Sequence, residues 1–302
     1  MKDIFLFGAG ASYGSGQIIP EQPPLLRALY SELKRCYPRT WGSLPKKLPD
    51  KFNQDFELGM AEMWDNYSSI IPQLMQEMAL YFVQFRPANF KENMYFKLLQ
   101  FLIEKNKVSS AILFTLNYEV LLDLCAFVLS LGIDAESKTE DEKTIKIIKL
   151  HGACNIIPVG IKVSRSVKFT KGVLFGTGAK YLFDLNQVVE FCLGDNGLPP
   201  VMALIMKEKP IQVSKFILNY YQKIWHNILK EENKIFIIGI NANNEDKHIW
   251  NPLMTTPSKI YYVGGDWGRI EKWKPEFLTE PTFLGKEFHE SLGEIFRILM
   301  EG

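Results

Sequence analysis

The chain reads as an α/β protein built on a doubly wound, Rossmann-like parallel sheet. Three observations predict this. Residues 3–7 are apolar from Ile4 onward and run straight into a glycine-rich turn, Gly8-Ala9-Gly10-Ala11-Ser12. Four more short apolar runs follow, at 110–115, 145–150, 234–239 and 259–263. Helical material separates these runs. Unbroken apolar character, rather than alternation, belongs to strands covered on both faces. Five or more such strands joined by helices make an open parallel sheet, which binds ligands at the carboxyl ends of its strands.

The remaining elements are placed in order. A proline-rich stretch, Ile19-Pro20-Glu21-Gln22-Pro23-Pro24, precedes a helix expected over 25–36. Residues 37–55, rich in Pro, Lys and Asp, read as a loop. From 56 to about 105 apolar residues recur at three- and four-residue spacing, as in Ile70, Ile71, Leu74, Met75, Met78, Phe82 and Phe85, then Tyr95, Leu98, Leu99, Leu102 and Ile103. This predicts a helical insertion packed on the main domain. Its aromatics Trp64, Tyr67, Tyr81, Phe82 and Phe85 either fill its own core or line a contact between copies of the chain. Residues 136–143 are charged without an apolar residue and read as an exposed loop. Alternation of Val163, Arg165, Val167 and Phe169 with Lys162, Ser164, Ser166 and Lys168 suits a half-solvated hairpin strand. Two amphipathic helices are expected late in the chain, one through Ile217, Tyr221, Trp225 and Leu229, the other through Phe288, Leu292, Ile295 and Leu299. There are no internal repeats. A single domain spanning 1–302 is expected, with the insertion at about 56–105 and a variable segment at about 155–225.

Composition narrows the classes. Hydrophobic residues make up 47% of the 302, enough for a sizeable core and too many for a disordered chain. With 35 basic and 34 acidic residues, the net charge of +1 supplies no argument for a polyanionic partner. Lys162, Arg165, Lys168, Lys171 and Lys180 occur with no acid between them, which a solvated sheet face explains more simply than a direct nucleic-acid contact. The four cysteines form no C-x-x-C pair, so neither a zinc module nor a disulfide framework is expected. Cys125, Cys154 and Cys192 read as small buried hydrophobes. No apolar run reaches the roughly 18 residues of a membrane span, and a cytoplasmic location is the expectation.

Residues able to do chemistry cluster at strand exits. Gly8 allows a tight turn and Gly10 allows backbone to approach a pyrophosphate, with N–H groups at the following helix start as donors. The dinucleotide fingerprint is incomplete, because Tyr13 stands where a third glycine is expected and no acid follows a second strand about 20 residues on. Thr115-Leu116-Asn117-Tyr118-Glu119 directly follows one strand, and Lys149-Leu150-His151-Gly152 follows another. A histidine before a glycine at a strand exit is a candidate for chemistry, since its ordinary pKa lies near 6.5. A fourth exit carries Gly239-Ile240-Asn241, then Asp246 and His248. A fifth, Gly264-Gly265-Asp266, suits contact with an adenine or a ribose.

Taken in order, these segments resemble the sirtuin-type NAD-binding fold. Gly-Ala-Gly-Ala-Ser at 8–12 is similar to that family's phosphate loop, 115–118 to its Thr-x-Asn motif, 149–152 to its His-Gly motif, and 238–241 with Asp246 to its later glycine segment. The aromatic-arginine pair and the paired cysteines of protein-deacylating sirtuins are missing. The nearer resemblance is to prokaryotic sirtuin-like, NAD-degrading effectors of anti-phage defence, which lack zinc and carry helical insertions.

That resemblance implies an NAD+ hydrolase acting in abortive infection, with NAD as substrate and no zinc or other metal ligands. Asn117 and His151 would be catalytic. Gly8, Ala9, Gly10, Ala11, Ser12, Thr115, Gly239, Asn241, Asp246 and Gly264 would bind the dinucleotide. It further implies a homo-oligomer and, because a permanently active enzyme would kill its own cell, control in trans by a HerA-type DNA translocase. A protein deacylase, an ADP-ribosyltransferase and a nucleotide-binding sensor without turnover are the competing readings.

Overall fold

Alternation along the strands decides the layers. The structure is a computed structural model and describes residues 1–139, 141–165, 175–207, 209–243 and 246–301. Its seven-stranded sheet runs in the order 282–285, 259–263, 234–238, 3–7, 111–115, 144–149, 132–134. Every neighbouring pair is parallel. Phe5, Phe7, Leu113, Ile147, Phe236 and Ile238 face one core, and Ile4, Leu6, Ile112, Phe114, Ile235 and Ile237 face another. Helices Met94–Glu104, Leu121–Val128 and Phe288–Met300 cover the first face. Helices Lys215–Ile228, Lys247–Met254 and Trp267–Trp273 cover the second. Burial on both sides explains why these strands are apolar without alternation.

All five expected strands form, with no end displaced by more than one residue, as Asp3–Phe7, Ala111–Thr115, Thr144–Lys149, Lys234–Ile238 and Lys259–Val263. Two short edge strands, Gly132–Asp134 and Thr282–Gly285, are additional. Buried charges anchor the amino-terminal edge. Lys107 reaches Asp3 at 3.1 Å, and Lys234 donates at 2.8 Å to the Ile298 carbonyl at the end of the last helix, which also accepts the Glu301 N–H at 3.2 Å.

Between the first two strands, the chain builds helices Leu26–Cys36, Leu48–Gln54, Phe56–Asn66 and Ile71–Phe82. The loop expected at 37–55 is therefore partly helical. Trp41, Leu48 and Phe52 supply the apolar face, and Pro49 sits in the first turn, where its missing N–H costs nothing. The Phe52 ring lies 5.7 Å from Trp41 and 4.8 Å from Tyr30. Trp64, Tyr81, Phe82 and Phe85 are buried in this core, so the chain itself covers them.

Helix Met94–Glu104, expected inside the insertion, is instead the crossover helix of the sheet. Tyr95 packs edge-on against Phe7 at 5.1 Å, and Phe101 stacks on Phe296 at 4.0 Å. The expected hairpin strand at 163–169 has no strand over its described part, and 166–169 lie outside the described residues. The antiparallel pair of that region joins Ile156–Val159 to Gly178–Tyr181. Residues 136–143, apart from 140, form no helix or strand.

Strand order reverses between 3–7 and 234–238, and two turns meet there. The Gly10 N–H donates to the Gly239 carbonyl at 2.9 Å, and the Gly8 N–H to the Ile238 carbonyl at 3.0 Å. Gly239 has φ +67°, and a Cβ on it would lie 2.0 Å from the Ala11 nitrogen. Gly239→Ala is expected to destabilise the protein by at least about 3 kcal/mol, combining backbone strain with a clash against main chain. Urea unfolding of the two proteins measures it.

Candidate functional site

Asn117 sits at the centre of the carboxyl edge. The Thr115 hydroxyl accepts its N–H at 3.0 Å, which bends the chain as it leaves the strand. The carboxamide nitrogen donates to the Gly8 carbonyl at 3.0 Å and to the Ser12 hydroxyl at 2.8 Å. A carbonyl only accepts, so the contact with Gly8 fixes which end of the amide is nitrogen. Both amide hydrogens are used, and the carboxamide oxygen is the group left to act on a ligand.

Ser12 is the hub of this arrangement. Its hydroxyl donates to Glu119 at 2.6 Å, accepts from Asn117, and lies 2.9 Å from the Tyr95 hydroxyl. One donor and two lone pairs are thereby satisfied if Tyr95 donates. The second Glu119 oxygen accepts the Leu121 N–H at 2.5 Å. Burial pushes the Glu119 carboxyl above its ordinary value of 4.5, against the downward pull of Ser12, the Leu121 N–H and Lys149.

The glycine turn is explained by its protein neighbours. A Cβ on Gly8 would lie 2.6 Å from Ile240, and one on Gly10 would lie 2.9 Å from the Gly239 Cα. Backbone approaches Gly10 as expected, but it is the backbone of Gly239. The N–H groups of Gly10 and Ala11 donate to Gly239 and Gly8. Ala9 and Asn241 are exposed on either side of this closure.

His151 lies in a second cluster. The segment 201–203 clamps its loop: the Ala203 N–H donates to the His151 carbonyl at 2.9 Å, and the Ala153 N–H to Val201 at 3.1 Å. Gly152, at φ +75°, is required because a Cβ there would lie 1.9 Å from the Val201 carbonyl oxygen. The Tyr118 hydroxyl holds the same segment through Ala203 at 2.8 Å. The His151 Nε2 stands 2.9 Å from the His248 Nε2. Asp246 completes the group, with one ligand atom of each residue within 4.8 Å of the others. Lys209 approaches Asp246 at 3.2 Å and Glu57 at 3.6 Å. Burial first, then the Lys209 ammonium, holds His151 well below its ordinary value, and burial lowers His248 as well. Two neutral imidazoles sharing one proton can have His151 as the donor. Its Nδ1 then keeps the lone pair that a base needs.

Beneath both clusters lies a buried ion pair. Lys149, 1% exposed, reaches Asp123 at 2.7 Å and the Glu119 carbonyl at 3.2 Å. Asn155 and Tyr181 also bond Asp123. Lys149 thus ties the loop of Asn117 to the loop of His151. Gly264 packs under the Tyr262 hydroxyl, which donates to the Ile240 carbonyl at 2.7 Å. Asp266 accepts the Ala242 N–H at 3.1 Å, so its carboxylate shapes the loop after Asn241. Two surface cavities lie elsewhere, one lined by Tyr37, Glu77, Arg165 and Cys192, the other by Tyr13, Glu21 and Arg27.

The structure therefore joins Gly8, Gly10, Ser12, Thr115, Asn117 and Gly239 in one set of contacts. It gathers His151 with Asp246 in another. Glu119, Tyr95, Lys149 and Lys209 are the residues to which sequence reasoning assigned no role. Glu119, two positions after Asn117, and Lys149, two before His151, had a local cue, whereas Tyr95 and Lys209 had none. No family model matches the chain, and neither does any curated protein.

Asp123→Ala is expected to cost about 3–5 kcal/mol, because it strands Lys149 as a buried, uncompensated charge. Chemical denaturation checks this. Glu119 has a folded pKa above 4.5, so the folded state binds its proton more tightly than the unfolded state does. Its contribution is fully present below pH 4.5 and is lost as pH rises through the folded value. The stability difference between wild type and Glu119→Gln is expected to fall as pH rises above 4.5, read from unfolding curves across that range.

Proposed function

We propose that the chain is an NAD+ glycohydrolase that splits the bond between nicotinamide and ribose, giving nicotinamide and ADP-ribose. The observation that carries this reading is the Asn117 carboxamide. It is held by Gly8 and Ser12 at the point where the sheet reverses, with its oxygen left over. Open α/β sheets bind nucleotides at that point. The turns likened to a phosphate loop and a Thr-x-Asn motif meet there through these bonds.

The chemistry asks little of an acid. The leaving pyridinium becomes neutral nicotinamide without taking up a proton, and the sugar passes through an oxocarbenium-like state. The protein has to orient the ribose, keep bulk water out and place one water molecule. The Asn117 oxygen accepts a hydrogen bond from that water or from a ribose hydroxyl. His151, neutral and with Nδ1 as acceptor, takes up the proton released when water adds to the sugar carbon. The proton then leaves to solvent, so NAD+ and water become nicotinamide, ADP-ribose and H+.

In the cell, the reading is an abortive-infection effector against phage. It would work as a homo-oligomer and be switched on in trans by a HerA-type translocase. His151→Ala and Asn117→Ala are each expected to slow nicotinamide release by about 10²–10⁴-fold, the usual worth of a positioned base. The assay follows nicotinamide by chromatography, with circular dichroism to verify folding. Normal release by both folded variants would refute the assignment.

A further inference from the structure

We propose that His151, Asp246 and His248 form a binding site for a divalent transition-metal cation of the zinc class. The two Nε2 atoms face each other at 2.9 Å, and a carboxylate oxygen of Asp246 lies within 4.8 Å of a ring nitrogen of each histidine. Around a tetrahedral cation with bonds of about 2.0–2.2 Å, ligand atoms stand roughly 3.3 Å apart. The imidazoles need only part by a few tenths of an ångström, and the carboxylate swings inward.

Asp246 supplies an independent observation. It occupies the N-cap position of helix Lys247–Met254, where an aspartate ordinarily caps, yet its side chain makes no capping bond. Its buried Oδ1 has no hydrogen-bond partner. The Lys209 ammonium, 3.2 Å away, lies within ion-pair distance but not in hydrogen-bond alignment. A cation already stands beside this carboxylate, and Glu57 at 3.6 Å offers that ammonium another anchor when a metal arrives.

Two imidazoles and one carboxylate suit Zn2+, Co2+, Ni2+ or Cu2+ and are a poor set for Mg2+ or Ca2+. Three protein ligands leave one position open. Both Nε2 lone pairs must point at the metal, so the proton shared between the rings moves to Nδ1. His151 then has no free lone pair. Resting on the hydrolase reading, metal binding is expected to inhibit nicotinamide release.

The test uses the full-length, untagged chain, stripped with a chelator. Co2+ is added while visible absorption is followed, and Zn2+ binding is measured by calorimetry. The expected result is one saturable site per chain. His248→Ala and Asp246→Asn should each weaken it more than roughly tenfold, as loss of a ligand does. His289→Ala, on the exposed face of the last helix, should leave it unchanged. Both test residues lie near the surface, so neither variant depends on refilling a core. No saturable binding by the wild type, or equal binding by all variants, overturns the proposal. Variant-sensitive metal binding in a chain that never releases nicotinamide upholds the metal site and sinks the hydrolase reading.

Discussion

Main chain touching main chain at Gly10 and Gly239 is the constraint on which the carboxyl edge depends. Strands 3–7 and 234–238 are parallel neighbours, and each continues past its end into a turn. The turns have room to close only because neither carries a Cβ at the contact. Closure turns the Gly8 carbonyl toward Asn117, which fixes the carboxamide. It also uses the N–H groups of Gly10 and Ala11. The glycines that suggest a phosphate cradle are thus needed first to let the fold close.

Two kinds of polar environment lie side by side above the sheet. Around Ser12, every named donor has an acceptor, and the pair Lys149–Asp123 is bonded on both partners. Buried polar groups satisfied in this way are rigid, because breaking one bond strands another group away from water. Around His151 the satisfaction is incomplete. Two neutral rings share a proton, and the Asp246 oxygen lacks a hydrogen bond. The first cluster is suited to holding geometry and the second to exchanging a proton or a cation.

The sheet was legible because burial on both faces leaves a mark in the sequence that needs no partner to be read. Strands 3–7 and 259–263 form over their full expected extent, and the glycine turn, the Asn117 exit and the His151 exit all stand at strand ends. The edge strands 132–134 and 282–285 were invisible, since each is short and half covered. Helix Leu48–Gln54 was hidden because its seven residues carry, besides Pro49, only two apolar side chains, Leu48 and Phe52, too few to show a helical period inside a stretch rich in Pro, Lys and Asp. The crossover role of Met94–Glu104 was unreadable for another reason. Its periodicity matches that of the insertion helices, and only contact with Phe7 and Phe296 separates them.

From its sequence alone, this chain announces parallel strands, the turns that end them, and which side chains stand at those ends. Local apolar pattern and glycine placement suffice for that, because both act within a few residues. Partnership needed the tertiary structure. Asn117 meets Ser12 across 105 positions, His151 meets His248 across 97, and the clamp of 201–203 on Gly152 joins segments that share no motif. Contacts between distant segments depend on how the crossovers bring strand exits together, and no local pattern records that distance.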